Sequence, residues 1–159
     1  MAGTHRYAVT VEWTGNTGAG TATYSAYQRA HEIRIPGKPP IPGSSDPAFR
    51  GDKSRYNPED LMVASLSSCH MLWFLHLASR DRIAVESYLD DALGVMVEEA
   101  SGAGRFTEVE LRPAVTVRGK ADPERIDALH REAHAMCFVA NSVNFPVRCR
   151  GTVRGTATD

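Results

Sequence analysis

The segment NPEDLMVASLSSCHMLWFLHLASRD, residues 57–81, constrains the fold more than any other stretch of the chain. It predicts one long helix. Asn57 suits the N-cap, Pro58 the first helical position, and Glu59 and Asp60 the positive end of the helix dipole. The helix is expected to fray out near SRDRIAV. Ala64, Ser65, Ser67 and Ser68 offer a small-residue surface that another element can approach closely. Cys69 lies roughly three turns in. Helical spacing places Met62, Ser65, Leu72, Trp73 and His76 around it, a mostly apolar setting.

On either side the pattern changes. YAVTVEWTG alternates, with Val9, Val11 and Trp13 on one face, and predicts a strand. TGNTGAG is a turn, and TATYSAYQRAHEIRI predicts a long returning arm. PGKPPIPGSSDPAFRGDKSR holds five prolines and three glycines and predicts a loop, ordered or partly so. VESYLDDALGVMVEEASGAGRFTEVELRPAVTVRG predicts two or three strands about SGAG, with Val109, Leu111, Val115 and Val117 facing inward. ADPERIDALHREAHAMCFVANS predicts a second helix, capped by Asp122 with Pro123 in its first turn. Ile126, Leu129, Ala133, Cys137 and Ala140 share one side of it. NFPVRCRGTVRG predicts a single last strand, with Val147, Cys149, Gly151 and Val153 opposite Arg148, Arg150 and Arg154. The order of elements is α+β rather than a regular βαβ alternation.

A chain of 159 residues with this organisation is expected to form a single domain, 1–159. Its formal net charge of -1 provides no general attraction to nucleic acid or to an anionic membrane. The apolar run Met71 to Ala78, broken by His76, is too short to span a bilayer. The N-terminal MAGTHRYAVTVEW has no signal-peptide core, so a cytoplasmic location is expected. Three cysteines leave one unpaired in any disulfide framework, and no CxxC is present to suggest a zinc knuckle or a thioredoxin motif.

Two readings of Cys69 stand side by side. It can fill a helix interface as a small apolar residue, or it can act as a nucleophilic thiolate. The helix dipole does not reach so deep, so a reactive thiolate needs a cation from elsewhere, such as an arginine of the FRGDKSR segment. Cys137 reads as core filler or as the second member of a pair that forms a disulfide on turnover. Cys149 reads as core. His130 and His134, at i and i+4, have a zinc-binding spacing, but HREAH lacks a glutamate directly after the first histidine and a third ligand is not evident. They read as partly exposed helix residues. A zinc hydrolase is therefore a minor alternative, and the expectation is no metal.

NPEDLMVASLSSCHM resembles the first helical segment of the OsmC/Ohr family of osmotically inducible and organic-hydroperoxide-resistance proteins, and AHAMCFVANS resembles its second. The spacing of the cysteines also fits, and the similarity runs from the first hairpin to the last strand. The resemblance implies an OsmC-like α+β fold, with antiparallel sheets around two long central helices, and an intertwined homodimer with active sites at its interface. It implies a thiol-dependent peroxidase of organic hydroperoxides, with Cys69 as the peroxidatic and Cys137 as the resolving cysteine. Glu59 matches the glutamate that pairs with a catalytic arginine, for which Arg50 is the first candidate and Arg29 the rival. No cofactor is implied; an external dithiol completes the cycle. The chain departs from the family in carrying Phe138, not proline, after Cys137, and His70 after Cys69. These departures point to a less characterised subgroup and keep open a non-enzymatic redox-sensing or apolar-ligand-binding dimer with a pocket at Cys69.

Overall fold

A computed structural model describes residues 3–157. The chain divides into two compact units, one ending at Leu61 and the other beginning at Met62.

The first unit holds a three-stranded antiparallel sheet of β1 (Thr10–Trp13), β2 (His31–Arg34) and β3 (Ile41–Gly43), in the order β1-β2-β3. Trp13 pairs with His31. The returning arm is shorter than its sequence suggests: the span from Gly18 to Ser25 is turn and bend, and only the isolated bridge Asn16–Tyr27 precedes β2. Asn16 explains the early break, because its side-chain oxygen accepts from the backbone N–H groups of Gly18 and Gly20 and so competes with strand pairing. The proline-rich segment is ordered. Asp46 caps a single 3₁₀ turn, Pro47–Phe49, by accepting from the Ala48 N–H at 2.7 Å. Gly51 then lies so close to Ser45 that a Cβ would fall 1.6 Å from its carbonyl oxygen.

The long helix α1 spans Pro58–Arg80, and the Asn57 side chain accepts from the Asp60 N–H at 2.7 Å as its cap. By length and composition α1 is capable of crossing a membrane, which the run Met71 to Ala78 alone does not suggest. From Met62 onward one side of it enters the core of the second unit, with Leu66, Phe74, Leu77 and Ala78 buried. The stripe Leu66–His70–Phe74–Leu77 follows the i, i+4 rule and faces inward; Cys69 sits beside it, half-buried.

Two three-stranded sheets share this unit. One has the order β4-β7-β9, from β4 (Val85–Asp90), β7 (Pro113–Arg118) and β9 (Thr152–Thr156). The other has the order β5-β6-β8, from β5 (Leu93–Glu98), β6 (Gly104–Leu111) and β8 (Val147–Cys149). The expected two or three strands about SGAG are thus four. The expected last strand is two, because the chain leaves β8 at Arg150–Gly151 and enters the other sheet. The sheets are mixed rather than purely antiparallel: β8 runs parallel to β6 and β9 parallel to β7. Each of these two pairs joins strands that are distant in sequence, and hairpin turns do not constrain them to be antiparallel.

Helix α2 spans Pro123–Met136, with the Asp122 side chain accepting from the Arg125 N–H as its cap. Its inward stripe is the expected one, Ile126, Leu129 and Ala133, with Cys137 at the C-cap. The helix stops there because Cys137 turns extended (φ −70°, ψ 108°), and Ala140–Ser142 continues as a 3₁₀ turn. Ion pairs tie α1 to α2: Arg125 holds Asp81, and Arg80 reaches Glu132 at 2.9 Å. Phe74, Val115, Val117, Ile126 and Leu129 form one core cluster; Leu66, Val109 and Leu111 form another.

Candidate functional site

Cys69 and Cys137 come together from the two helices. All three cysteines are free. Cys137 is 1% exposed, whereas Cys69 is half-buried. Burial pushes the Cys137 thiol up to about 11; the Ala140 and Val139 N–H groups oppose this, and hydrogen bonding and charge interaction with the Cys69 thiol add to it. The Ala140 N–H points at the Cys137 sulfur at 3.4 Å. The break in α2 is what aims these backbone donors, since a continued helix would spend them on its own carbonyls. The chemistry available is that of a dithiol: one sulfur reachable, the other held neutral and protected beside it.

Trp73 and Phe138 meet edge to face, with centroids 5.6 Å apart, and Trp73 also packs on His76 at 5.8 Å. Phe138, the departure next to Cys137, therefore supplies an aromatic wall that links the two cysteine-bearing segments.

The other expected site residues lie in the first unit. The Arg29 guanidinium donates to the carbonyls of Tyr27 (2.6 Å) and Tyr24 (2.8 Å) and lies against both rings, 4.1 and 4.3 Å from their centroids. Arg50, in the left-handed region at φ 65°, approaches the same Tyr24 ring at 5.9 Å. The two arginines that compete for one role from sequence are thus neighbours, lining one cleft with Thr17 and Gln28. Neither they nor Glu59 form an ion pair among the described residues.

A second cluster is invisible to helical spacing alone. His130 is buried, not partly exposed as its sequence context suggests, and His70 is 1% exposed. Their rings are nearly parallel, and His70 Nε2 lies 3.0 Å from His130 Nδ1. Cys149 Sγ is 3.7 Å from the same His70 nitrogen. Phe74 stacks on His130 with centroids 4.2 Å apart. His134, paired with His130 in the sequence reading, is exposed and lines, with His130, Asp127, Arg131 and Arg150, an adjoining cavity of about 500 Å³. Burial first, then His130 and His134, push His70 down to about 4; burial does the same to His130. Both are neutral at neutral pH. Their positions on the inward stripes, His70 between Leu66 and Phe74 and His130 beside Leu129 and Ala133, are the sequence signal that could have revealed their burial, though not their contact.

Comparison with known proteins matches residues 51–150 to the family model described as OsmC-like protein. An OsmC-like protein of unknown function from Vibrio cholerae superposes with a TM-score of 0.85 at 34% identity, over 94% of this chain and 100% of that one. An organic hydroperoxide resistance protein from Elizabethkingia anophelis shares the fold at 16% identity and a TM-score of 0.69, over 98% and 100% of the two chains. The organic hydroperoxide resistance protein OhrB of Bacillus subtilis does so at 18% and 0.61, over 94% and 98%. No functionally curated protein matches. A family model covering most of the chain, together with a relative at 34% identity along nearly its full length, assigns this chain to the OsmC-like protein family, within the broader OsmC/Ohr group.

Proposed function

We propose that the chain is a thiol-dependent peroxidase of organic hydroperoxides, working through Cys69 and Cys137. The observation that carries this reading is the interacting pair of free thiols, one half-buried and one buried. Proteins of the same fold that bear the name organic hydroperoxide resistance protein support it.

In this cycle the Cys69 thiolate attacks the outer peroxide oxygen. The O–O bond breaks, the alkoxide takes a proton and leaves as an alcohol, and Cys69 becomes a sulfenic acid. The Cys137 thiol attacks that sulfur, water leaves, and a Cys69–Cys137 disulfide forms. An external dithiol reduces it by exchange, receiving the disulfide in return. These steps move electrons only between sulfur and peroxide oxygen, and the proposal invokes no cofactor.

Arg50 is assigned to activating Cys69 and orienting the peroxide, with Glu59 steadying its guanidinium fork; Arg29 is the alternative. Among the described residues neither arginine is ion-paired with Glu59, so the Glu59–arginine pair is part of the proposal and not of the described geometry.

A homodimer belongs to the same proposal. Val11 is 64% exposed and Trp13 43% on β1, and Leu93, Val95, Met96 and Val97 are exposed along β5. Apolar surface of this extent favours a second copy of the chain as its cover. Three free cysteines suit the reducing cytoplasm. The test is peroxide consumption by Cys69→Ser: the cycle requires that it cease, and an unchanged rate refutes the assignment.

A further inference from the structure

We propose that His70, His130 and Cys149 form a binding site for a zinc-class divalent cation, with one coordination position facing the adjoining cavity. The inference goes beyond the dithiol reading and uses none of its residues.

Three ligand-type side chains converge from three elements: His70 from α1, His130 from α2 and Cys149 from β8. One donor atom of each lies within 4.8 Å of the other two. The two measured edges of this triangle are 3.0 Å between imidazole nitrogens and 3.7 Å between nitrogen and sulfur. Tetrahedral zinc, with Zn–N about 2.0–2.1 Å and Zn–S about 2.3 Å, requires edges of about 3.3 and about 3.6 Å. The two measured edges lie within about 0.3 Å of these values, and the third, between Cys149 Sγ and His130, is no longer than 4.8 Å. Two imidazoles and a thiolate select a borderline or soft transition metal and disfavour calcium and magnesium, which prefer oxygen donors.

The cluster is poorly explained as packing alone. A hydrogen bond between two neutral imidazoles uses one proton and one lone pair. Whichever ring donates, one outward nitrogen keeps a bare lone pair and the other a bare N–H. Both outward atoms, His70 Nδ1 and His130 Nε2, are buried and have no hydrogen-bond partner among the described residues. An apolar residue at either position would avoid that penalty. Coordination uses both inward lone pairs at once, through His70 Nε2 and His130 Nδ1, with each ring keeping its proton on the outward nitrogen; the gain lies in the two metal–nitrogen bonds, and the outward N–H groups stay without a protein partner.

The surroundings also suit a cation. The negative charge of Asp90 acts on both His70 and Cys149, and Asp127 acts on Cys149. Asp90 is itself fixed by the Ser67 hydroxyl (2.5 Å) and the Arg112 N–H (2.6 Å). Of the two arginines along the cavity, Arg150 is neutralised by Glu110 at 3.0 Å, whereas Arg131 has no ion pair among the described residues. Cys149, His130 and His134 line the cavity, so solvent or a small ligand reaches the fourth position from that side. Binding releases the Cys149 thiol proton to solvent and transfers no electron. The ion would pin α1, α2 and β8 together.

The experiment is titration of the reduced, chelator-treated full chain with Zn²⁺, and with Co²⁺ as a spectroscopic probe, read by elemental analysis after dialysis and by the cobalt–thiolate absorption band. The expected result is one ion per chain with a thiolate band, both retained in the Cys69→Ser/Cys137→Ser double variant. Affinity should fall at least about tenfold in Cys149→Ser, the thiolate band being lost with it. His70→Gln is the second variant, should Cys149→Ser fail the check of folding by circular dichroism. Four results overturn the proposal: no binding by the wild type, unchanged affinity in a folded Cys149→Ser or His70→Gln, binding lost in the double variant, or binding that depends on His134 but not on Cys149.

Discussion

The Cys69 and Cys137 thiols interact across the two helices, the first half-buried on α1 and the second buried at the C-cap of α2. This asymmetry divides the labour of the proposed cycle. A peroxide can reach Cys69, whereas Cys137 can reach only what forms on Cys69. In Cys137→Ser a single equivalent of peroxide should therefore still be reduced, leaving a sulfenic acid on Cys69 that a dimedone-type probe traps. Steady-state turnover with a dithiol should fall. Trapped adduct on Cys149 instead would show that the wrong thiol has been assigned.

The Cys137 thiol, pushed up to about 11, is neutral throughout the physiological range. Its thiolate, the species that alkylates, should gain population only as pH rises towards that value. In Cys69→Ser the burial that is the largest cause of the rise remains, so alkylation of Cys137 should stay slow at neutral pH and accelerate only as the solution becomes alkaline. The linkage sign is set by the raised value: the unfolded chain loses this proton first, so the native state binds more protons in that window and stability falls as pH rises through it. The slope is at most about 1.4 kcal/mol per pH unit for this one group. Denaturant midpoints measured at pH 8, 9 and 10 check it, and a rising midpoint would contradict it.

Phe74 is fully buried and stacks on His130, so Phe74→Ala should remove about 3–5 kcal/mol of stability through lost transfer energy and a cavity. Exposed Leu72, 63% accessible on the same helix, is the comparison in a monomeric chain, where Leu72→Ala should change little. Urea unfolding of both variants makes the test; similar losses would show that the inward stripe has been misplaced.

Gly151 has a structural role independent of backbone freedom. A Cβ there would stand 2.8 Å from His130 Nε2 and 3.0 Å from its Cδ2, and the ring is held by Phe74 and His70. Because the ring cannot swing away, Gly151→Ala should cost about 1–3 kcal/mol and displace His130. A shifted His130 imidazole resonance, together with a lowered melting temperature, would be the signature. A wild-type spectrum and melting temperature would mean that the glycine is replaceable.

Asp81 and Glu132 are held below the usual carboxylate range by their arginine hydrogen bonds, Arg125 first for Asp81 and Arg80 first for Glu132. A depressed carboxylate contributes stability above its unfolded value and loses it as pH falls through its folded one. The acid limb of the stability curve should therefore flatten in Arg125→Ala, measured by thermal unfolding through the carboxylate range. An acid limb identical to the wild type would remove this network from the account.

How far the sequence could be read follows from where each signal resides. Helix caps are local, so Asn57 and Asp122 could be identified from a few residues, and the 3.6-residue stripe of α2 showed which of its side chains turn inward. Alternation was a weaker guide. It grouped Val9, Val11 and Trp13 on one face, but pairing within β1 says nothing about what covers that face, and the chain leaves it exposed. NFPVRCRGTVRG keeps one alternating pattern across two strands because the sheet change at Gly151 does not interrupt the periodicity. The buried histidines were missed for a related reason. Spacing pairs His130 with His134 along one helix, while the contacts that matter join His130 to residues of α1 and β8, and only the tertiary fold brings those together.

The most direct test of the central claim is the intact mass and free-thiol count of the reduced protein after one equivalent of cumene hydroperoxide. The account predicts a loss of about two daltons, as two thiol hydrogens leave, with Cys69 and Cys137 joined and Cys149 still free. Unchanged mass with three free thiols, or a disulfide that includes Cys149, would contradict it.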